Sequence, residues 1–168
     1  MIKNFFSSII IAILLIHTQN CIGQNLLSEV PKTKEEFIAS EKNVVATIDW
    51  LETTPFNQEE NKRLKQKALL MVWITDSPTV TLEINAAILT FTKKNPDLLL
   101  TYMGGWTKYS LLNNYSTDQI QGNLAGLKSV IRVYKNLSLK KDKEVEKLIE
   151  LDNKGELENW VNEKLIKK

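Results

Sequence analysis

One histidine, His17, and one cysteine, Cys21, are the only imidazole and the only thiol in a chain of 168 residues. Both fall in the first two dozen residues, a stretch that reads as an export signal. Residues 24–168 then hold no imidazole base and no thiol nucleophile. Serine and cysteine nucleophile systems built on histidine need that base. Zinc sites built from cysteine and histidine need those ligands. No Gly-Lys-Ser/Thr follows Gly104-Gly105 or the Gly122/Gly126 pair, and no Asp-x-Asp-x-Asp-Gly run occurs. Phosphate loops and calcium loops of the familiar forms are therefore missing too. The expectation is a domain with no metal and no cofactor.

Chemistry carried by carboxylates survives this elimination. Cleaving a glycosidic bond needs only two carboxyl groups placed across it, one held protonated by an apolar setting. Glu83 is the candidate acid, because it is the lone acidic residue between Val80 and Phe91. Asp76 and Asp118 are its candidate partners. A plainer reading puts Glu83 on the wet face of an amphipathic helix and the two aspartates at helix ends, where carboxylates suit the dipole.

The candidate binding residues are Tyr102, Gly104, Gly105, Trp106 and Tyr109. Two adjacent glycines in a helical pattern cost about 1 kcal/mol each relative to alanine, so a kink, turn or close backbone approach is expected there. The three aromatics are spaced four and three apart and share a helix face. Facing outward they would stack on a sugar or pack a partner helix. Facing inward they would fill the core. Gly122 and Gly126 lie four apart on the back of the next helix, where they would let another helix come close. Arg132 stands in an apolar stretch, Val130 to Tyr134, where a carboxylate, an anion or solvent would satisfy it.

The elements that would position these residues follow from proline placement and apolar spacing. Prolines at 31, 55, 78 and 96 divide the chain into helix-length segments. Thr33 to Glu36 has capping-box form and opens a helix using Phe37, Val44, Ile48 and Leu51. Asn57 and Glu60 open a second, in which Leu64, Ala68, Met71 and Thr75 share a face. Its later turns are apolar nearly all round, the pattern of a buried segment. Ser77-Pro78 reads as the start of a third, through Val80, Ile84, Ala87, Ile88 and Phe91, although Thr79 to Ile84 also alternates like a strand. Asn95-Pro96-Asp97 starts a fourth, interrupted at Gly104-Gly105 and resumed to Leu112. Ser116 to Gln119 caps a fifth, with Ile120, Leu124, Leu127, Ile131 and Tyr134 on one face. Asp142 caps a helix with Val145, Leu148 and Ile149, and a turn at Asn153 to Gly155 leads to Leu157, Trp160, Val161 and Leu165. The fold class is all-α, six or seven helices in a bundle or a short stack of helix pairs. Trp73 and Trp106 are separated by roughly the length of a two-helix repeat, but their surroundings differ and no repeat is present.

The first residues combine Lys3, an apolar run from Ile9 to Ile16 and a polar stretch ending at Gly23. This is the layout of a cleaved signal peptide over 1–23, leaving 24–168 as a single helical domain. The run is shorter than the ~20 residues a membrane-spanning helix needs. Acylation of Cys21 is the competing reading, and Thr18 and Asn20 fit it poorly. The Gly23-Gln24 ending resembles the export signals of Bacteroidota, and the layout of the mature chain, 24–168, resembles the small exported proteins of that group. That resemblance implies a place in the periplasm or the medium and lends no catalytic residue.

Charge points to no polyanion: 22 Lys and Arg stand against 20 Asp and Glu, a net charge of +2, and two arginines are too few for a nucleic-acid footprint. The functional expectation is a binding protein rather than an enzyme, with an envelope or extracellular protein or a glycan as partner. A carboxylate-dependent enzyme that cuts cell-wall glycan and a carrier of an apolar ligand between helices are the alternatives.

Overall fold

The computed structural model describes residues 25–137 and 139–166. The expected signal peptide, its cut after Gly23 and Cys21 lie outside the described residues. Six α-helices follow in order: α1 (Lys34–Thr53), α2 (Glu60–Asp76), α3 (Leu98–Leu112), α4 (Gln119–Asn136), α5 (Lys143–Asn153) and α6 (Leu157–Ile166), with one 3-10 turn at Thr90–Lys93. The protein is all-α, and no strand occurs among the described residues.

Capping residues set the helix starts. Thr33 accepts the Glu36 N–H at 3.3 Å, while Glu36 reaches back to the Lys32 N–H at 2.6 Å. Asp118 caps α4 through the Gln121 N–H at 3.0 Å, and Asp142 caps α5 through the Glu144 N–H at 3.0 Å. Ser116, expected to cap α4, instead holds the Asp118 N–H at 3.3 Å, one step before the helix. α2 has no side-chain cap: Glu59 precedes it in a left-handed conformation, φ 48°. The Asn57 start signal is therefore not used.

The antiparallel pair α3–α4 is the centre of the molecule. α1 and α2 pack on one side, while α5 and α6 pack mainly on α4 at the other. One apolar cluster joins Phe37, Val44, Ile48, Leu70, Trp73, Ile74 and Leu100. A second joins Phe91, Tyr102, Trp106, Leu124, Leu127, Val145, Leu148 and Val161. Met103 and Leu82 touch both clusters. The Ile120–Tyr134 stripe of α4 faces inward as its spacing requires, with Leu127 fully buried.

Two further expectations are corrected. Residues 77–89 form no helix. Ser77 closes α2, and its Oγ accepts the N–H groups of Thr79 and Val80 at 3.3 and 3.2 Å. Asn85 likewise holds the Ala87 N–H at 2.9 Å. These side chains take the donors a first helical turn would leave open, and the β-branched run Thr79-Val80-Thr81 adds to the cost of a helix. The segment crosses irregularly, with Val80 buried and Thr81 and Glu83 exposed.

α3 is also continuous through Gly104-Gly105. The glycines are there for space. A Cβ on Gly105 would stand 2.8 Å from the Ala125 carbonyl, and one on Gly126 would stand 2.7 Å from the Tyr102 carbonyl. Gly122 lies against the Trp106 indole in the same way. The close approach expected at Gly122 and Gly126 is thus present, and α3 supplies the matching recess.

Gly104 differs from these three. Its added Cβ would meet Ile48 at 3.4 Å, an ordinary contact. Gly104→Ala should leave stability unchanged or raise it by up to about 1 kcal/mol, the helix-propensity gain. Gly126→Ala should lower it by about 1–3 kcal/mol through overpacking against backbone. Urea denaturation of the two variants beside the wild type measures both, and equal effects would remove the close-approach account.

Candidate functional site

The five residues expected to form a binding surface sit mostly inside. Tyr102 and Trp106 are 0% and 1% exposed, and Gly104 and Gly105 are buried beside them. Their rings meet edge to face with centroids 6.1 Å apart. The Tyr102 hydroxyl donates to Asn123 Oδ1 on α4. Tyr109 alone is half-buried, 3.5 Å from the Ser116 hydroxyl. An exposed aromatic face is therefore not what this segment presents. The glycines draw α4 over the aromatics, and an interior that admits α4 so closely turns the aromatics into core.

The three carboxylates are not brought together by any contact seen among the described residues. Glu83 is exposed and accepts from the Gln119 side-chain amide. It borders a shallow hollow of about 310 Å³ with Ile84, Asn85, Ala86, Gln119 and Leu165, none of them acidic. Asp118 is committed to the N-terminus of α4, and Asp76 is exposed at the end of α2.

Glu52, which the sequence does not single out, and Arg63, which enters there only as one of two arginines, are buried around a cleft between α1, α2 and α3. Glu52 is 5% exposed and Arg63 is 6% exposed. Glu52 Oε2 takes the Arg132 Nε and Nη2 at 2.9 and 2.6 Å, and Arg132 also donates to the Ser129 Oγ at 2.9 Å. Arg132 thus ties α4 to the end of α1, the carboxylate option for this residue. Arg63 donates to the carbonyls of Leu51, at 3.2 Å, and Thr54, so its charge faces the negative end of α1. Its guanidinium lies over Phe56 and Trp50, 4.7 and 5.6 Å from the ring centres. Burial lowers the Arg63 pKa below the usual arginine value, and the charge of Asp97 opposes that shift. The cleft also touches Leu51, Leu100 and the Lys67–Asp97 ion pair. It encloses about 20 Å³. That is room for about one water molecule, where a drug-sized apolar ligand takes ~300 Å³ or more. Glu52 Oε1 and Arg63 Nε are buried and have no hydrogen-bond partner among the described residues.

The feature most unlike its expectation is α2. Its inward face is Arg63, Gln66, Leu70, Trp73 and Ile74. Gln66 is held there by the Leu27 carbonyl at 2.9 Å, Trp73 by the Ser40 hydroxyl at 2.8 Å. The face expected to be buried points to water instead: Leu64 is 69% exposed and Met71 37%, with Ala68 and Thr75 exposed between and beyond them. Val72, 37% exposed, widens the strip. α2 contacts only α1 and α3 among the described elements, so this side is uncovered. A helix apolar on both sides offers no periodic signal to say which side faces in. Arg63 and Gln66 decide it, because they alone reach the carbonyls of Leu51, Thr54 and Leu27.

Burial raises the Tyr102 pKa well above the ordinary phenol value. In the unfolded chain the phenol ionises near 10. Its share of stability is therefore complete below pH ~10 and is lost as the pH climbs beyond, by up to ~1.4 kcal/mol per pH unit. Denaturant titrations from pH 8 to 11 should show this fall, and Tyr102→Phe should make it shallower while losing the Asn123 hydrogen bond at every pH. An unchanged slope in the variant would show that another group drives the alkaline loss. No family model, curated protein or solved structure matches the chain, so its own geometry carries the functional reading.

Proposed function

We propose that this chain is an exported, non-catalytic helical module that works by docking another protein surface on the outer face of α2. The observation that carries it is the uncovered strip of Leu64, Ala68, Met71 and Val72. Scattered apolar residues are ordinary on a protein surface, whereas a contiguous strip marks a contact site. Its spacing repeats that of a helix-packing seam, so the matching surface is a helix with apolar residues at three- and four-residue steps. Among the described residues no second carboxylate lines the hollow beside Glu83, which supports binding over glycan cleavage. The small size of the cleft beside Arg63 argues against an apolar carrier. Action in the periplasm or the medium, after removal of residues 1–23, rests on the export-signal layout of those residues; no helix among the described residues is long and apolar enough to cross a membrane.

A photo-activatable cross-linker placed at Met71 should give defined adducts in the producing cells, and one placed at the exposed Lys147 of α5 should not. The Leu64→Gln variant should keep the wild-type stability within ~0.5 kcal/mol, as surface changes do, and lose the Met71 adducts. Equal labelling from both positions would reject the α2 face. N-terminal sequencing of the exported protein should begin at Gln24.

A further inference from the structure

Building on the reading of α2 as a docking face, we propose that its occupant is α2 of a second copy of this chain, packed antiparallel about a two-fold axis. Leu64, Ala68, Met71 and Thr75 step by four, three and four, the spacing of a coiled-coil seam. Run antiparallel, this seam complements itself. Leu64 comes opposite Thr75 of the second copy, and Ala68 comes opposite Met71, so each layer sets a large side chain against a small one. Ala68 lies near the middle, where a small residue lets the helix axes approach.

Charge fixes the same orientation. Lys65 and Asp76 are both exposed, and neither joins an ion pair among the described residues. Eleven residues apart, they differ by only ~20° around the helix and so lie on one flank of the seam. In this register antiparallel packing brings Lys65 of each copy diagonally across from Asp76 of the other, about 3 Å further along the axis and within a lysine's reach, twice by symmetry. Parallel packing would instead set Leu64 against Leu64 and carry the two Lys65–Asp76 flanks to opposite sides of the seam, where they could not pair. The remaining lysines of this helix are already engaged, Lys62 with Glu59 at 2.9 Å and Lys67 with Asp97. A helix of 17 residues is ~25 Å long. A single helix pair of that length is a small contact beside the ~1,600 Å² of a standard interface, so the dimer is a weak one that forms and parts with concentration.

Sedimentation of the purified protein from micromolar to millimolar concentration tests this. The expected result is a monomer–dimer equilibrium. Lys65→Glu and Asp76→Lys should each weaken it about tenfold by setting like charges together at both contacts, and the double variant should restore it. Both substitutions lie at exposed positions, and circular dichroism checks that the helices persist in all three variants. A monomer at every concentration, or a double variant no better than the singles, overturns the second copy as occupant. If that monomer still yields Met71 adducts with other proteins, the docking face stands without the dimer. If it yields none, both fall together.

Discussion

Everything in this fold hangs on how closely α3 and α4 approach. At Gly105, Gly122 and Gly126 each helix meets the other's backbone or aromatic rings with no room for a Cβ. That contact shuts Tyr102 and Trp106 into the interior and fixes the plane against which the other helices pack. The conformational cost of glycine in a helix, about 1 kcal/mol relative to alanine, is offset by dispersion contacts that a wider spacing would forfeit. α1 and α2 then complete one apolar cluster, and α5 and α6 the other. Met103 on α3 serves both.

The polar interactions act as ties between layers already placed by packing. Arg132 joins α4 to α1 through Glu52, and Lys108 joins α3 to α1 through Asp49. Asn95 reaches the Lys140 carbonyl and Asp142, each at 3.2 Å, and so links the start of α3 to the start of α5. Arg63 is the costly one. A largely desolvated guanidinium is stabilised by carbonyls and aromatic faces instead of a directly paired carboxylate. Its position sets which side of α2 faces in.

Much of this was legible in the sequence, and the parts that were not share a cause. α5 and α6 each carry one apolar face opposite a polar one, so their spacing announces both helix and orientation; the stripe of α4 is read in the same way, although its glycine side is buried against α3 too. Asp142 and Thr33 announce their caps. The segment from Ser77 to Leu89 carries helix and strand patterns together, and only the side-chain hydrogen bonds of Ser77 and Asn85 decide between them. In α3 the glycine pair resembles a break because the helix that fills the space lies elsewhere in the chain. In α2 apolar residues occupy both faces, and the deciding partners, Leu51, Thr54 and Leu27, come from other elements. Local pattern reads a helix well when burial is one-sided. It fails where the information is a tertiary contact.

The exposed strip of α2 also divides the chain by how freely it can drift. Replacing Gly105, Gly122 or Gly126 forces backbone or ring to move, so these positions have almost no neighbouring sequences open to them. Leu64 is 69% exposed, with Ala68 and Met71 exposed beside it, and touches so little of the interior that a polar residue could stand there without loss to the fold. Random substitution favours such residues on a wetted helix. An apolar strip that the fold does not require will therefore erode over generations unless whatever rests on it holds it in place.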